Sequence, residues 1–196
     1  TIEGNPLYVA TDLSIDAEFF NWCMSSMPRR VVYFSSSAVY PVELQRRSQH
    51  VSLSESMVNF GGSRIGMPDM TYGWSKLTGE YLAKFAVENY GADVAIYRPF
   101  GGYGEDQSFD YPFPSIIRRI VTGENPVVVW GSGDQRRDFI HIEDIVDAVL
   151  ATMHQLKPGE ALNLGTGMGL SFRELARIAS DVLKIPVDIV NDATKP

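Results

Sequence analysis

Two groups that can do acid–base chemistry stand four positions apart in the segment Tyr72-Gly-Trp-Ser-Lys76. If this segment is helical, the phenol and the ammonium project from the same face. A free tyrosine has a pKa of about 10 and is a poor base at neutral pH, whereas a neighbouring ammonium favours the phenolate. The pair therefore predicts a catalyst that interconverts a hydroxyl and a carbonyl. The spacing alone is a weak signal, because it arises by chance on many helices.

A run of three serines, Ser35 to Ser37, begins at the last residue of the apolar segment 30–35, which is typical of a buried strand. Parallel sheets bind ligands beyond the carboxyl ends of their strands. A serine hydroxyl at that position can hydrogen-bond a substrate oxygen next to Tyr72. The alternative is a serine-rich turn with no chemical role.

The elements that must position these residues alternate along the chain. Alternation of strands and helices with right-handed crossovers predicts an α/β fold, a parallel sheet covered on both faces. We place a boundary near Gly101, because the predicted strands and helices after it are shorter and separated by more loop. Apolar spacing and capping residues predict helices over 14–27, 72–89, 114–122, 143–154 and 171–183, and strands over 30–35, 93–97, 126–130, 161–164 and 187–190.

Composition excludes several classes of protein. The 196 residues carry 17 Lys and Arg against 24 Asp and Glu, a net charge of −7, which argues against a nucleic-acid partner. No apolar run approaches the roughly 20 residues that a membrane span needs. The single cysteine, Cys23, excludes an internal disulfide and is expected to be buried. The three histidines are scattered, so we expect no metal.

Five segments, in order, resemble the extended short-chain dehydrogenase/reductase family of nucleotide-sugar epimerases and dehydratases. They are RRVVYFSSSAVYP, MTYGWSKLTGEYLAKF, YRPFGGYGEDQ, VVVWGSGDQRRDFIHIEDIVDAV and LNLGTGMGLSFRELA. The resemblance implies a Rossmann-like parallel sheet, NAD as cofactor and a nucleotide-sugar substrate. It also implies that residues 1–100 form the latter half of the NAD-binding domain and that residues 101–196 are mainly a smaller substrate-binding part.

Site residues follow from the same resemblance. Tyr72 is the acid–base group, and Lys76 lowers its pKa and holds the cofactor ribose. Ser36 matches the catalytic serine, with Ser37 as the one-residue alternative. Other matching positions are Ser35, Pro99 and Phe100 for the cofactor, and Gly101 and Arg137 for the substrate.

The two substrate positions match the family to different extents. Gly101 stands where many relatives carry an asparagine. Arg137 matches the arginine that pairs with the substrate diphosphate, which suits a guanidinium. Arg136 and Arg137 have a charged, solvated turn as the alternative interpretation. We read Asp138, His141 and Asp144 as structural.

The family's Gly-rich turn for the NAD diphosphate, GxxGxxG, does not open this sequence. The glycine cluster from Gly165 to Gly169 lies far downstream of the catalytic helix, so we assign it a structural role. We therefore expect the 196 residues to be a partial chain that lacks the first βαβαβ half and stops before the family's C-terminus.

The residues at positions where family members carry additional acids or bases limit the reactions that this chain could catalyse. Ser37 and Ala38 occupy the place of the acidic pair that a 4,6-dehydratase uses, and a decarboxylating relative needs an acid there too. By the same resemblance, Ala38 stands where a GDP-mannose 3,5-epimerase has its cysteine base. Pro112 lies near the position of that enzyme's lysine acid. C4 epimerisation through a transient 4-keto sugar then needs only Ser, Tyr, Lys and NAD.

Other readings stay open beside C4 epimerisation. One is a nucleotide-sugar 4-reductase or dehydrogenase, and another is a 3,5-epimerase-like enzyme. A reading of a different class is a non-catalytic nucleotide-sugar-binding module. The nucleotide, the sugar and the stereocentre are not fixed by the residues.

Family resemblance also implies a homodimer that forms through the Tyr72 helix and its neighbour. Met24, Met27, Tyr81 and Phe85 could supply the apolar contact, or they could pack on their own sheet. A cytoplasmic location is the default, since no signal segment is recognisable.

If the Gly-rich half is indeed needed, the 196-residue chain alone should bind NAD poorly or not at all. Isothermal titration calorimetry of the purified chain with NAD measures this directly. Tight binding would contradict the expectation.

Overall fold

The computed structural model describes residues 7–45 and 51–195. The chain divides into two compact units, residues 1–100 with 146–164, and residues 101–145 with 165–196. It passes from the first unit to the second at Gly101, the position near which the pattern of predicted strands and helices changes. It returns to the first unit within a helix and leaves it again at Gly165.

A parallel sheet with the order β1-β2-β6 forms the centre of the first unit. Its elements are α1 (Leu7–Ser26), β1 (Val31–Phe34), α2 (Val42–Gln45), α3 (Met70–Tyr90), β2 (Val94–Pro99) and β6 (Ala161–Leu164), with 3-10 turns at Ser37–Val39 and Glu55–Met57. Strand β2 is the middle strand and is almost wholly buried, as a continuous apolar run predicts.

Helices α1 and α3 pack on each other and on the sheet in this first unit. The core between them contains Phe20, Cys23, Val31 and Ala83, so the expectation that Cys23 is buried is confirmed. Helix α3 ends at Gly91, which adopts a left-handed conformation with φ of 72°. That conformation is the reason why glycine suits the position.

The second unit contains two small sheets. Strand β5 pairs with β3 in parallel and with β7 in antiparallel fashion, while β4 pairs with β8 in parallel. Its elements are β3 (Gly101–Tyr103), α4 (Pro112–Val121), β4 (Val127–Trp130), β5 (Arg136–His141), β7 (Gly169–Ser171), α6 (Phe172–Leu183) and β8 (Ile189–Asp192). Helix α5 (Ile142–Thr152) begins in this unit and continues into the first. Helices α4 and α6 share an apolar core with β4.

Every predicted helix and strand is present, with boundaries that differ by a few residues. The largest difference is α1, which begins at Leu7 rather than Ser14, because the apolar residues of its first turns are consecutive and do not recur at helical spacing. Helix α6 begins with the expected capping box, in which Ser171 and Glu174 bond each other's backbone N–H groups. The strands β3, β5 and β7 were not predicted. In the part of the chain that the structure describes, no helix meets the length and hydropathy needed to cross a membrane.

Candidate active site

The serine run forms a tight turn at the carboxyl end of β1. The backbone N–H of Ser35 continues the sheet by donating to the Tyr97 carbonyl at 2.7 Å. Ser36 is extended, with φ of −160°, and its Oγ accepts the N–H of Ala38 at 3.1 Å. Since the Ser36 oxygen acts there as an acceptor, its hydroxyl proton remains for another partner.

Helix α3 begins directly against this serine turn. The N–H of Asp69, the residue before the helix, donates to the Ala38 carbonyl at 2.8 Å. At Gly73 a Cβ atom would lie 2.4 Å from the same carbonyl oxygen, so a side chain there would push the helix away. Glycine thus lets the first turn of α3, which carries Tyr72, pack onto the turn that carries Ser36 and Ser37.

Tyr72 and Lys76 share a face of α3, as their spacing predicts. The Lys76 Nζ lies 6.0 Å from the centroid of the Tyr72 ring and 5.2 Å from the centroid of the Tyr33 ring. Tyr72 and Lys76 are both half-buried, so both can meet a ligand. The arrangement keeps a positive charge beside the phenol, which favours its ionised form.

A buried ion pair lies behind the serine turn. Arg98, on β2, donates from Nε and Nη2 to the two carboxylate oxygens of Glu80, on α3, at 2.8 and 2.7 Å. The Ser35 hydroxyl donates to the same carboxylate at 2.5 Å. The side chains of Arg98 and Glu80 are 3% and 1% exposed. Because the Ser35 hydroxyl is committed to Glu80, its predicted cofactor contact stays a prediction and would involve only its carbonyl.

This network continues into the segment that follows the serine turn. Arg98 Nη1 donates to the Tyr40 hydroxyl and to the Glu55 carbonyl, both at 3.1 Å. The Tyr40 hydroxyl donates in turn to the Asn163 side chain at 2.6 Å. Burial by itself lowers the pKa of Arg98, but the hydrogen bonds and charge of Glu80 outweigh it and hold that pKa above its usual value. Sequence analysis missed this network, although a charged residue within an apolar strand is its signal.

Pro99 and Phe100 lie where β2 ends, on the strand next to the serine turn. The N–H of Phe100 donates to the Leu164 carbonyl at 2.9 Å, and its ring lies 6.2 Å from that of Tyr40. Both residues are half-buried and present an apolar surface at the carboxyl edge of the sheet. That edge is where parallel sheets hold their ligands.

In the second unit, the two candidate arginines have different surroundings. Arg136 forms an ion pair with Glu174 at 3.1 Å and donates to the Gly169 carbonyl, so its charge is used within the unit. Arg137 is exposed, and its guanidinium donates to the Arg136 carbonyl at 3.2 Å. This leaves Arg137 as the arginine with N–H donors for a ligand.

Gly101 pairs with Phe139 between β3 and β5 of the second unit. A Cβ atom at Gly101 would lie 2.6 Å from the Asp138 carbonyl oxygen. The close approach of the two strands thus excludes a side chain, including an asparagine, unless the backbone shifts. Any ligand contact at this position must come from the backbone.

The glycine cluster 165–169 is filled by a side chain of the protein itself. The Asp138 carboxylate accepts the N–H groups of Thr166 and Gly167, at 2.9 and 2.8 Å, and the Thr166 hydroxyl at 2.6 Å. These amides are therefore not open to a phosphate. The structural assignments of the cluster and of Asp138 are confirmed.

The first-unit residues fit one half of a dinucleotide. The Lys76 ammonium lies over the rings of Tyr33 and Tyr72, which do not use up its N–H donors. These donors can form hydrogen bonds to ribose hydroxyls. Pro99 and Phe100 offer an apolar surface that suits a nicotinamide. Among the described residues we find no open glycine turn that would suit the diphosphate.

Comparison with known proteins decides the family. The profile described as "NAD dependent epimerase/dehydratase family" matches residues 2–165. The chain belongs to this family. Its α/β fold with a parallel sheet is that of the Rossmann-type members of the family.

The similar proteins carry the names of different enzymes. "Putative GDP-L-fucose synthase 2" of Arabidopsis thaliana is 24% identical over 96% of this chain and 58% of the relative. "dTDP-4-dehydro-6-deoxy-D-allose reductase" of Streptomyces bikiniensis is 35% identical over 65% of this chain and 40% of the relative. The chain spans about half the length of the curated relatives it matches.

A solved structure covers most of the chain. The UDP-N-acetylglucosamine 4-epimerase from Methanobrevibacter ruminantium M1, in complex with UDP-N-acetylmuramic acid, superposes with a TM-score of 0.74 at 28% identity. The match covers 92% of this chain and 56% of that one.

Breaking the buried pair should cost far more stability than breaking an exposed one. Replacement Arg98→Met leaves the Glu80 carboxylate buried without its partner, and we expect the free energy of unfolding to fall by about 3–5 kcal/mol. The double variant Arg98→Met with Glu80→Met should recover most of that loss. Urea denaturation measures both.

The matched control is Lys84→Met, which breaks the exposed pair of Lys84 with Glu88 on the same helix. It should cost less than about 0.5 kcal/mol. A single Arg98 variant no less stable than this control would show that the pair does not support the site.

Proposed function

We propose that the chain is the catalytic part of an NAD-dependent nucleotide-sugar epimerase that inverts C4 through a transient 4-keto sugar. The observation that carries the proposal is the Tyr72–Lys76 pair on the first turns of α3, packed against the serine turn. Family membership supports the reaction class, and the 4-epimerase of known structure supports the stereocentre.

The chain's own residues move the proton and orient the sugar. The Ser36 hydroxyl hydrogen-bonds the C4 oxygen, and the Tyr72 phenolate takes the proton from that oxygen. Lys76 keeps Tyr72 ionised and binds the ribose hydroxyls. The chemistry that bound NAD supplies is the reversible acceptance of a hydride from C4. After the keto sugar has turned its other face to the cofactor, Tyr72 would return the proton to the C4 oxygen.

Elimination and carbon deprotonation both need an acid or base side chain next to the catalytic serine, and Ala38 does not supply one. The methyl of Ala38 offers no acid or base, and its backbone N–H and carbonyl are already bonded to Ser36 and Asp69. Pro112 is the first residue of α4 and cannot act as an acid either. A 3,5-epimerase-like or 4,6-dehydratase reaction therefore has less support than C4 epimerisation.

A 4-reductase is the second candidate. The Streptomyces bikiniensis relative with this type of name is 35% identical to the chain. In that reaction Tyr72 would protonate the oxygen of a 4-keto sugar as hydride arrives at C4, without a reverse step. The same serine, tyrosine and lysine would serve.

The proposed substrate is a nucleotide diphosphate sugar, with Arg137 as the guanidinium for the diphosphate. A homodimer through α1 and α3 stays a prediction, as does a cytoplasmic location. Met27, Tyr81 and Phe85 are between 42% and 53% exposed and could form such a contact. Met24 packs against the core of its own unit instead.

Removing the Tyr72 hydroxyl should abolish catalysis without loss of folding. In the full-length protein with NAD, Tyr72→Phe should lower kcat about a thousandfold, and Ser36→Ala should lower it at least about tenfold. Product formation from a panel of nucleotide sugars, read by NMR, measures this.

The controls are Tyr90→Phe, at the far end of the same helix, and Ser37→Ala, on the same turn as Ser36. Each should stay within about twofold of the parent protein. Equal losses at Ser36 and Ser37 would contradict the assignment of Ser36. An unchanged rate in Tyr72→Phe would contradict the role of Tyr72 as the acid–base group. No turnover of any nucleotide sugar by the parent protein would favour a non-catalytic binding module.

A further inference from the structure

A second tyrosine lies against the catalytic lysine. Tyr33, on β1, has its ring centroid 5.2 Å from Lys76 Nζ, closer than the ring of Tyr72 at 6.0 Å. Tyr33 is only 5% exposed, so it cannot touch a substrate. An ammonium within about 6 Å of a ring centroid is attracted by the negative face of the ring.

Contacts with α1 and α3 hold the Tyr33 ring in place. Its hydroxyl donates to the Asp16 carboxylate, on α1, at 2.6 Å. Its ring packs on that of Phe20, also on α1, at 5.4 Å between centroids. On α3, a Cβ atom at Gly79 would lie 1.8 Å from the Tyr33 hydroxyl oxygen, so only glycine admits the ring.

The Tyr33 hydroxyl itself has no part in proton transfer. Burial, together with its hydrogen bond to Asp16 and the charge of that carboxylate, raises its pKa far above the usual value. It therefore stays a neutral phenol. What Tyr33 offers is a rigid aromatic face directly under the lysine.

We propose that Tyr33 is a positioning residue, whose buried ring face holds the Lys76 ammonium in place beside the Tyr72 phenol. A lysine side chain has four flexible bonds and otherwise samples many positions. Held against the ring, the charge stays on the Tyr72 side of α3. This inference rests on the proposed acid–base role of Tyr72 and Lys76.

The test compares two variants that both lose the bond to Asp16. Tyr33→Phe keeps the aromatic face, whereas Tyr33→Met fills a similar space without one. Tyrosines are labelled with ¹³C at Cζ, and the Tyr72 signal is assigned by its loss in Tyr72→Phe. We expect the titration midpoint of Tyr72 to rise by about one pH unit in Tyr33→Met and to change little in Tyr33→Phe. In the full-length enzyme, kcat near neutral pH should then fall about tenfold in Tyr33→Met and recover as the pH is raised.

Tyr97→Phe, on the neighbouring strand β2, is the control, since it removes another buried hydroxyl, which contacts Thr152 of α5 at 2.9 Å. It should leave the Tyr72 midpoint unchanged. Tyr33→Leu is a second ring-free variant in case Tyr33→Met does not fold. Equal midpoints in the ring-free and Phe variants would overturn the proposal. A moved midpoint in a protein that turns over no nucleotide sugar would uphold it and reject the proposed function instead.

Discussion

The Glu80 carboxylate, removed from water, is the group on which the geometry of the first unit depends. A buried charge of this kind is stable only when its partners surround it. Its partners come from two other elements, Arg98 of β2 and Ser35 at the end of β1. Three elements of the unit therefore meet at a single point. The turn that carries Ser36 starts one residue from that point, so the network fixes where the candidate hydroxyl lies.

Helix α3 connects this buried network to the acid–base pair of Tyr72 and Lys76. Glu80 is one turn beyond Lys76, and Lys76 is one turn beyond Tyr72, so a single helix carries the support and the acid–base pair. Gly73 and Gly79 let the helix come close to the serine turn and to Tyr33, respectively. The helix thus has little freedom to shift. The second unit presents Arg137, while Arg136 and Asp138 hold its own strands and turn together.

Sequence reasoning succeeded where the information is local. The spacing of Tyr72 and Lys76 placed both on one face of a helix, and the apolar runs of β1 and β2 predicted buried strands. Short strands such as β3 and β7 escaped, because three residues carry too little pattern and their pairing partners lie far along the chain.

The supporting contacts of the site could not be found in this way. Glu80 and Arg98 are 18 positions apart and Tyr33 and Lys76 are 43 apart, so only the folded structure brings them together. The inward orientation of the Ser35 hydroxyl could have been predicted from the sequence. Side chains alternate along a strand, and Ser35 continues the buried series of Val31 and Tyr33, which points its hydroxyl inward rather than toward a cofactor.

In the proposed C4 epimerisation, hydride would leave and return at C4 while no carbon is deprotonated. The measurement is turnover by the full-length protein with NAD in deuterated water, offered UDP-, dTDP-, GDP- and CDP-sugars, with products read by mass spectrometry and NMR. We expect an isomeric product, inverted at C4, that carries no carbon-bound deuterium. Deuterium at C3 or C5 would contradict it, because that requires a carbon base that the serine turn does not provide.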